Sequence, residues 1–298
     1  SILGANKLYE KYGSFKSSKN FIFHRGSSII DQIEGSFKRI NRNENAFGNI
    51  NKWSPADIYI ISNNFDVKEL EKYESIKGLN NEMLTQYNQK DLIGVSLKKM
   101  TTTARFSQVN VETTTKGSTG KVKFYNYTIK ANPQATIYDS MDVYIQWGQS
   151  QRERMQLRSF GSGDGLSGWQ GELKGETANQ GKVSLGPMSF VIKQHTGITL
   201  PTSADVVRRV KANDQSLIYE IYDLSKKLGV DNLPNREDHY DMSLQKSLKW
   251  RYSNYLGLVM LDAILSQNAE TRNEIIYDIY SYAGSKSRFS APYAKIEG

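Results

Sequence analysis

Asp57, Ser96 and Lys98 are polar residues set where packing alone would not call for them. Asp57 opens the apolar run of NKWSPADIYIISN (51–63), and Ser96 and Lys98 stand two apart in DLIGVSLKKM (91–100). Both runs have the composition of short buried strands, to whose packing a carboxylate and an ammonium contribute nothing. Alternation over residues 93–99 sets Val95 and Leu97 on one face and Ser96 and Lys98 on the other. If the two strands are neighbours, Asp57 approaches Lys98 at one end of the sheet, and Glu34 from the preceding segment brings a second carboxylate there. Such a grouping offers oxygen ligands to a cation beside a positive charge that steadies an anion. Each residue also has a plain structural alternative. Asp57 can cap a turn after Pro55, Lys98 and Lys99 can mark a solvated edge, and Glu34, between Ile33 and Phe37, can be an ordinary helix boundary residue.

The elements that must position these groups follow from pattern. Ser28 reads as a cap with Asp31 three residues on, and Ile29, Ile30, Ile33, Phe37 and Ile40 form an apolar stripe at helical spacing. That predicts a helix carrying Glu34. KNFIFHRG before it reads as a short edge segment or a lead into the helix. Pro55 disfavours helix just before it, and the Ile58 to Ile61 run predicts a strand. Residues 66–75 and 79–89 read as short helices, and LIGVSLKKM returns to strand. From residue 101 to about 160, ARFSQVNVETT, GKVKFYNYTIKA, SMDVYIQWG and ERMQLRSFG alternate, separated by the turn signals KGSTG and KANPQ. They predict a sheet continuing from the earlier strands. The glycine-rich stretch that follows reads as loops with a short strand around WQGELKG, and it holds no phosphate-cradling Gly-x-x-x-x-Gly-Lys-Ser/Thr motif. From Pro187 the pattern is mainly helical, and SKSRFSAPYAKIEG reads as an irregular tail. The most economical division is a sheet-bearing domain, 1–185, and a mainly helical region, 186–298.

A helix bearing Glu34, then SPAD ending in Asp57, then SLK spanning Ser96 to Lys98 resembles, in that order, the PD-(D/E)XK nuclease superfamily. The common core of that superfamily is a small mixed sheet flanked by helices, with an acid often supplied by the first helix, a Pro-Asp motif opening one strand and an acidic-x-Lys motif on the next. The match covers residues 28–100. There are two departures: Ala56 separates Pro55 from Asp57, and Ser96 stands where the family usually carries Asp or Glu. The missing charge at Ser96 has to be made good by Glu34, a backbone carbonyl or water, or activity is weak or lost. The superfamily tolerates variation at this position.

The resemblance implies an α/β (α+β) restriction-endonuclease-like core, a mixed central sheet flanked by helices, enlarged here by extra strands and a helical C-terminal region. It implies Mg2+-dependent hydrolysis of DNA phosphodiester bonds, with Mn2+ as a substitute. Asp57 and Glu34 are then the metal ligands, Lys98 orients or activates the attacking water, and Ser96 hydrogen-bonds a metal-bound water. Mg2+ keeps several waters and needs only one or two carboxylates when a phosphate oxygen completes its shell.

Lys plus Arg number 39 against 31 Asp plus Glu, a net charge of +8, which favours an anionic partner. Arg105, Lys121, Lys123 and Lys130 are interleaved with Phe106, Phe124, Tyr125 and Tyr127 and read as backbone-binding cations beside stacking platforms. Plain β alternation, with aromatics packed and lysines in water, accounts for them equally. Arg152, Arg154 and Arg158 share one strand face and suit a phosphate track, expected to border the Asp57 concavity. Asp139 and Asp142 rank below Asp57 as a metal pair, and Arg208, Arg209 and Lys211 lie on a helix. There is no cysteine, and the three histidines, His24, His195 and His239, are widely spaced, so catalytic or cysteine-ligated zinc is not expected. No apolar run approaches membrane-spanning length, so no membrane partner is expected; the expected location is the cytoplasm of a cell, with the interior of a virus-infected (phage-infected) cell or association with a virion as alternatives. The other reading is a noncatalytic nucleic-acid-binding or virion-associated structural protein. Monomer and homodimer both stay open.

Overall fold

Two five-stranded sheets organise the chain in the computed structural model, which describes residues 2–12, 20–99, 103–111, 120–129, 136–162, 166–175, 181–284 and 287–298. In chain order the first elements are α1 (Ile2–Tyr12), β1 (Phe21–His24), α2 (Ser28–Glu44), α3 (Ile50–Trp53), β2 (Ile58–Ser62), α4 (Ile76–Gln89), β3 (Leu92–Leu97) and β4 (Arg105–Val109). Then come β5 (Asn126–Thr128), β6 (Val143–Gln146), β7 (Arg154–Ser159), β8 (Trp169–Lys174) and β9 (Lys182–Ser184). The helices α5 (Leu185–Thr196), α6 (Ser203–Lys211), α7 (Gln215–Lys227), α8 (Arg236–Gln245), α9 (Leu248–Leu265) and α10 (Ala269–Ala283) follow, and β10 (Tyr293–Glu297) ends the chain. The result is a mixed α/β fold whose central sheet is flanked by helices, with a helical C-terminal region.

The compact units are residues 1–116 with 288–298, and residues 117–287. The expected boundary at 185/186 falls inside the second unit, where β9 passes directly into α5. Strands from residue 117 onward build a sheet of their own instead of extending the first, and that sheet packs with the helices that follow it.

The first sheet has the order β1-β2-β3-β10-β4, with β3 and β10 parallel and every other pair antiparallel. The C-terminal segment is thus no irregular tail. Its Ala294 and Ile296 join Leu8, Ile60, Tyr87, Ile93 and Val95 in one core cluster. Each fully buried Val or Ile there contributes about 1.5–3 kcal/mol. On the other side of the sheet the Tyr59 ring lies against β3 at Gly94, where a Cβ would come within 3.2 Å of Ala56 and 3.3 Å of that ring. Of the stripe read from sequence, Ile33, Phe37 and Ile40 are buried in α2 and Ile29 and Ile30 half-buried, while the cap position falls to Ser27 and Ser28 is the first helical residue; Phe37 stacks on Trp53 with ring centroids 4.4 Å apart. Residues 66–75, read as a helix, contain only a 3-10 helix at Val67–Lys72.

The second sheet is an antiparallel meander, β5-β6-β7-β8-β9. Val143, Ile145, Met155, Leu157, Leu173 and Val183 are buried on one face, against α5, α9 and α10. Gly257 lets α9 approach, because a Cβ there would stand 2.8 Å from the Val143 side chain. Within the helical pattern after Pro187 the chain breaks after α6, where Asn213 takes φ 49° and the Asp214 carboxylate accepts the Ser216 and Leu217 amides at the start of α7. Arg251, 3% exposed, donates from Nη1 to the Ser243 carbonyl at 2.8 Å and so closes the C-terminal end of α8.

His239 on α8 is wholly buried, with Nδ1 2.7 Å from the Tyr138 hydroxyl and Nε2 3.2 Å from Ser243 Oγ. Burial pushes its pKa down from 6.5 to about 4, against the opposing pull of an Ile218 backbone hydrogen bond and the Asp223 charge. The folded state therefore holds a neutral imidazole while the unfolded chain takes up a proton below about 6.5, so this stabilisation is complete above about 6.5 and is lost as pH falls towards 4. The thermal midpoint should fall over that window, and His239→Gln should flatten the slope there. An unchanged slope in thermal melts of the variant would remove His239 as the cause.

Candidate functional site

Asp57 sits where the chain turns from α3 into β2. Its amide donates to the Val95 carbonyl at 2.8 Å, although the register pairs Val95 with Ile58. Asp57 and Ile58 thus both oppose Val95, a β-bulge that bends the strand entry and re-aims the Asp57 side chain. The exposed carboxylate Oδ2 accepts the Leu97 amide at 2.7 Å, replacing the strand carbonyl that would otherwise continue the ladder. Lys98, the next residue, donates its amide to the Ile296 carbonyl at 2.8 Å and carries its side chain into solvent. Asp57 and Lys98 consequently lie at the same end of adjacent strands.

Ser96 does not join them at the surface. It is 0% exposed and its hydroxyl has no hydrogen-bond partner among the described residues, so it cannot reach a solvent-held, metal-bound water. Glu34 on α2 is half-buried and forms an ion pair with Lys38, one helical turn on, at 2.8 Å. Burial pushes the Tyr59 hydroxyl up to about 12 against the opposing 2.8 Å hydrogen bond with Ser54, and the Glu34 charge adds to the rise. Glu34 is thus engaged by Lys38 at the solvent boundary of α2. Among the described residues no group of three or more His, Asp or Glu side chains is placed to share a metal ion.

β10 adds charged residues to this sheet end that the sequence reading missed. Lys295 pairs in register with Ser96 on β3 and Glu297 with Arg105 on β4. Lys295 forms an ion pair with Glu297, and both are half-buried. The alternation Tyr-Ala-Lys-Ile-Glu was the available signal.

The other cations divide between the units. Arg105 is exposed on β4 of the first sheet, whereas Lys121, Lys123, Arg152, Arg154 and Arg158 all belong to the second unit. The arginine row is therefore not built on the Asp57 sheet. Arg152 lies in the turn before β7, which leaves Arg154 and Arg158 as the strand-borne pair. Arg154 holds its guanidinium 4.2 Å over the Tyr144 ring, and Arg158 Nε stands 3.3 Å from Asp142. Lys121 is exposed, and Lys123 stands 5.7 Å over the Tyr125 ring beside a hollow lined also by Phe124, Arg272 and Asn273. Lys130 lies outside the described residues, as do most of KGSTG and KANPQ.

Asp139 and Asp142 serve separate ends. Asp139 closes a 3-10 turn, where hydrogen bonds from Thr136 hold its carboxyl below the usual range, and Asp142 faces Arg158. Arg209 is held by Asp214 and Glu220, each at 2.7 Å, and Arg208 by Asp205 at 3.3 Å. His195 Nε2 lies 2.7 Å from Asp278, and His24 Nδ1 3.2 Å from Ser27.

The class that the fold defines is a mixed α/β protein with a polar sheet end formed by β2, β3 and β10. No family model, curated protein or solved structure matches the chain. Among the described residues no helix is long and apolar enough to cross a membrane.

Proposed function

We propose that the chain is a Mg2+-dependent endonuclease acting on DNA phosphodiester bonds at the sheet end that carries Asp57 and Lys98. The observation that supports this reading is the 2.7 Å hydrogen bond from the Leu97 amide to Asp57, which ties an exposed carboxylate beside an exposed lysine one residue further on. The donor chemistry is oxygen alone, supplied by Asp57, which suits Mg2+ or Mn2+ and not zinc; Glu297, another carboxylate at this sheet end, is paired with Lys295 on β10, with β3 between it and β2. When bound, the cation would polarise a phosphoryl oxygen and make its water a better nucleophile. Asp57 would anchor it through the oxygen not taken by Leu97, and Lys98 would orient the water and offset charge growing on phosphorus. Lys295 and Arg105 would add positive charge beside the leaving strand.

Nicking of supercoiled plasmid in Mg2+ tests this, with EDTA as the control. Lys98→Ala should lower turnover by about ten- to a hundred-fold while DNA affinity in EDTA changes less than about threefold, because the lysine acts on developing charge and other cations hold the backbone. Turnover equal to wild type would remove Lys98 from the reaction.

A second reading, a noncatalytic nucleic-acid-binding or virion-associated structural protein, draws on three observations: the buried Ser96 at the family's acidic position, the Glu34–Lys38 pair, and the lack of a three-carboxylate cluster among the described residues. Salt-sensitive DNA binding without hydrolysis in either Mg2+ or Mn2+ would favour it.

A further inference from the structure

The second sheet buries one face and presents polar side chains on the other. Register aligns Asn126, Gln146, Arg154 and Lys174 in a row across β5, β6, β7 and β8. The apolar alternates Tyr127, Ile145, Met155 and Leu173 turn the opposite way, towards the helices. Arg154 and Lys174 are therefore direct cross-strand neighbours of like charge, an arrangement that disfavours the sheet unless an anion relieves it. Lys174 and Lys182 share Glu172, at 2.5 and 3.4 Å, and Arg158 has Asp142 at 3.3 Å, so four cations on this face meet two carboxylates. Among the described residues Arg154 has no carboxylate partner and lies on the Tyr144 ring.

Beside this guanidinium is a hollow lined by Asn126, Thr128, Tyr144, Gln146, Gln151 and Arg154. Its walls are fixed: Gln146 Nε2 donates to the Gly148 carbonyl at 2.9 Å, and Gln156 Nε2 donates to the Tyr144 hydroxyl at 3.1 Å. Beyond the other end of β7, Phe160 is 36% exposed, with Arg158 and Lys182 each 5.6 Å from its ring centre. Phe160 lies six positions beyond Arg154, roughly 20 Å at ~3.3 Å per residue of extended chain. The face thus carries two flat platforms with cations between and beside them. Flat groups next to cations suit unstacked bases on a phosphate backbone, whereas a duplex keeps its base faces hidden.

We propose that the polar face of the second sheet binds single-stranded DNA, with one base on the outer plane of Arg154, amide groups of the hollow around its edge, and phosphates passing Lys174 and Lys182 towards Phe160. The inference rests on the reading that the protein acts on DNA, but not on cleavage, because its test excludes divalent ions. The full-length chain is titrated in EDTA against a short fluorescent oligothymidylate and against a duplex of equal length, with anisotropy as the readout. The single strand should bind at least about tenfold tighter than the duplex. Arg154→Ala and Phe160→Ala should each weaken single-strand binding by about tenfold or more, the effect of losing one stacked base. Arg154→Lys, which keeps the charge and the fold but not the plane, should weaken it nearly as much. Wild-type affinity in both Arg154→Lys and Phe160→Ala, or duplex binding as tight as single-strand binding, would overturn the proposal. A protein that fails to nick plasmid in Mg2+ yet shows these losses in EDTA would defeat the nuclease reading and leave this one standing.

Discussion

Asp57→Asn should reduce Mg2+-dependent plasmid nicking by about a hundred- to a thousand-fold, the scale on which loss of one preorganised electrostatic partner acts. The same substitution should leave the fold nearly untouched. The Asp57 side chain has a structural task, accepting the Leu97 amide at 2.7 Å at the bulged entry of β2, and an asparagine Oδ1 can still accept that bond. What asparagine lacks is the negative charge and the second ligand oxygen. The urea midpoint should therefore shift by no more than about 1 kcal/mol, the difference between a charge-assisted and a neutral hydrogen bond at an exposed site. Asp57→Ala removes both functions and should lose activity and also loosen the end of the β2–β3 ladder, visible as faster amide exchange at Leu97. The two variants separate ladder closure from catalysis. If Asp57→Asn nicks DNA as fast as wild type, Asp57 serves only the ladder and the nuclease assignment fails.

That Asp57 and Lys98 fall at one end of neighbouring strands was legible because the determinants are local. Pro55 sets where the strand begins, and apolar alternation sets the register of 93–99. The bulge was not legible, since it depends on which carbonyl the Asp57 amide reaches across the sheet. Glu34 shows the converse. Its i,i+4 relation to Lys38 was present in the sequence and predicts the ion pair that engages the carboxylate. Ser96 was placed correctly on the face opposite Val95, but its complete burial depends on what lies over that face. The parity of Arg154 and Arg158 could be read from spacing, whereas their membership in a second sheet could not, because alternation says which way a side chain points and nothing about which strand lies alongside. The same limit hid β10. Its parallel neighbour β3 lies far upstream in the chain, so no hairpin turn announces the pairing.

That long-range insertion makes Ile296 the most sensitive position in the first unit. Ile296 pairs in register with Leu97 on one side and Phe106 on the other, is 0% exposed, and packs in one core cluster with Ile93, Val95 and Ala294. Ile296→Asp places a carboxylate there with no cation on its own face of the strand, since Lys295 alternates to the opposite side. The cost should be about 4 kcal/mol or more, enough to unfold a marginally stable unit. Ile296→Val, which removes one methylene, should cost only about 0.5–1.5 kcal/mol. Hydrogen exchange on the full chain reads the difference by segment. In Ile296→Asp the amides of β2 and β3 should lose protection together, because β10 joins β3 to β4 and no other strand lies between them. Amides of β6, β7 and α9 belong to the other unit, with a separate core of Val143, Ile145, Leu157 and Met260, and should keep theirs. Nicking should fall with the lost protection, since Lys98 is positioned through the hydrogen bond that its backbone amide donates to the Ile296 carbonyl. Full protection of β3 in the aspartate variant would mean that β10 does not hold the centre of this sheet, and the sheet end on which Lys98 is placed would have to be rebuilt without it.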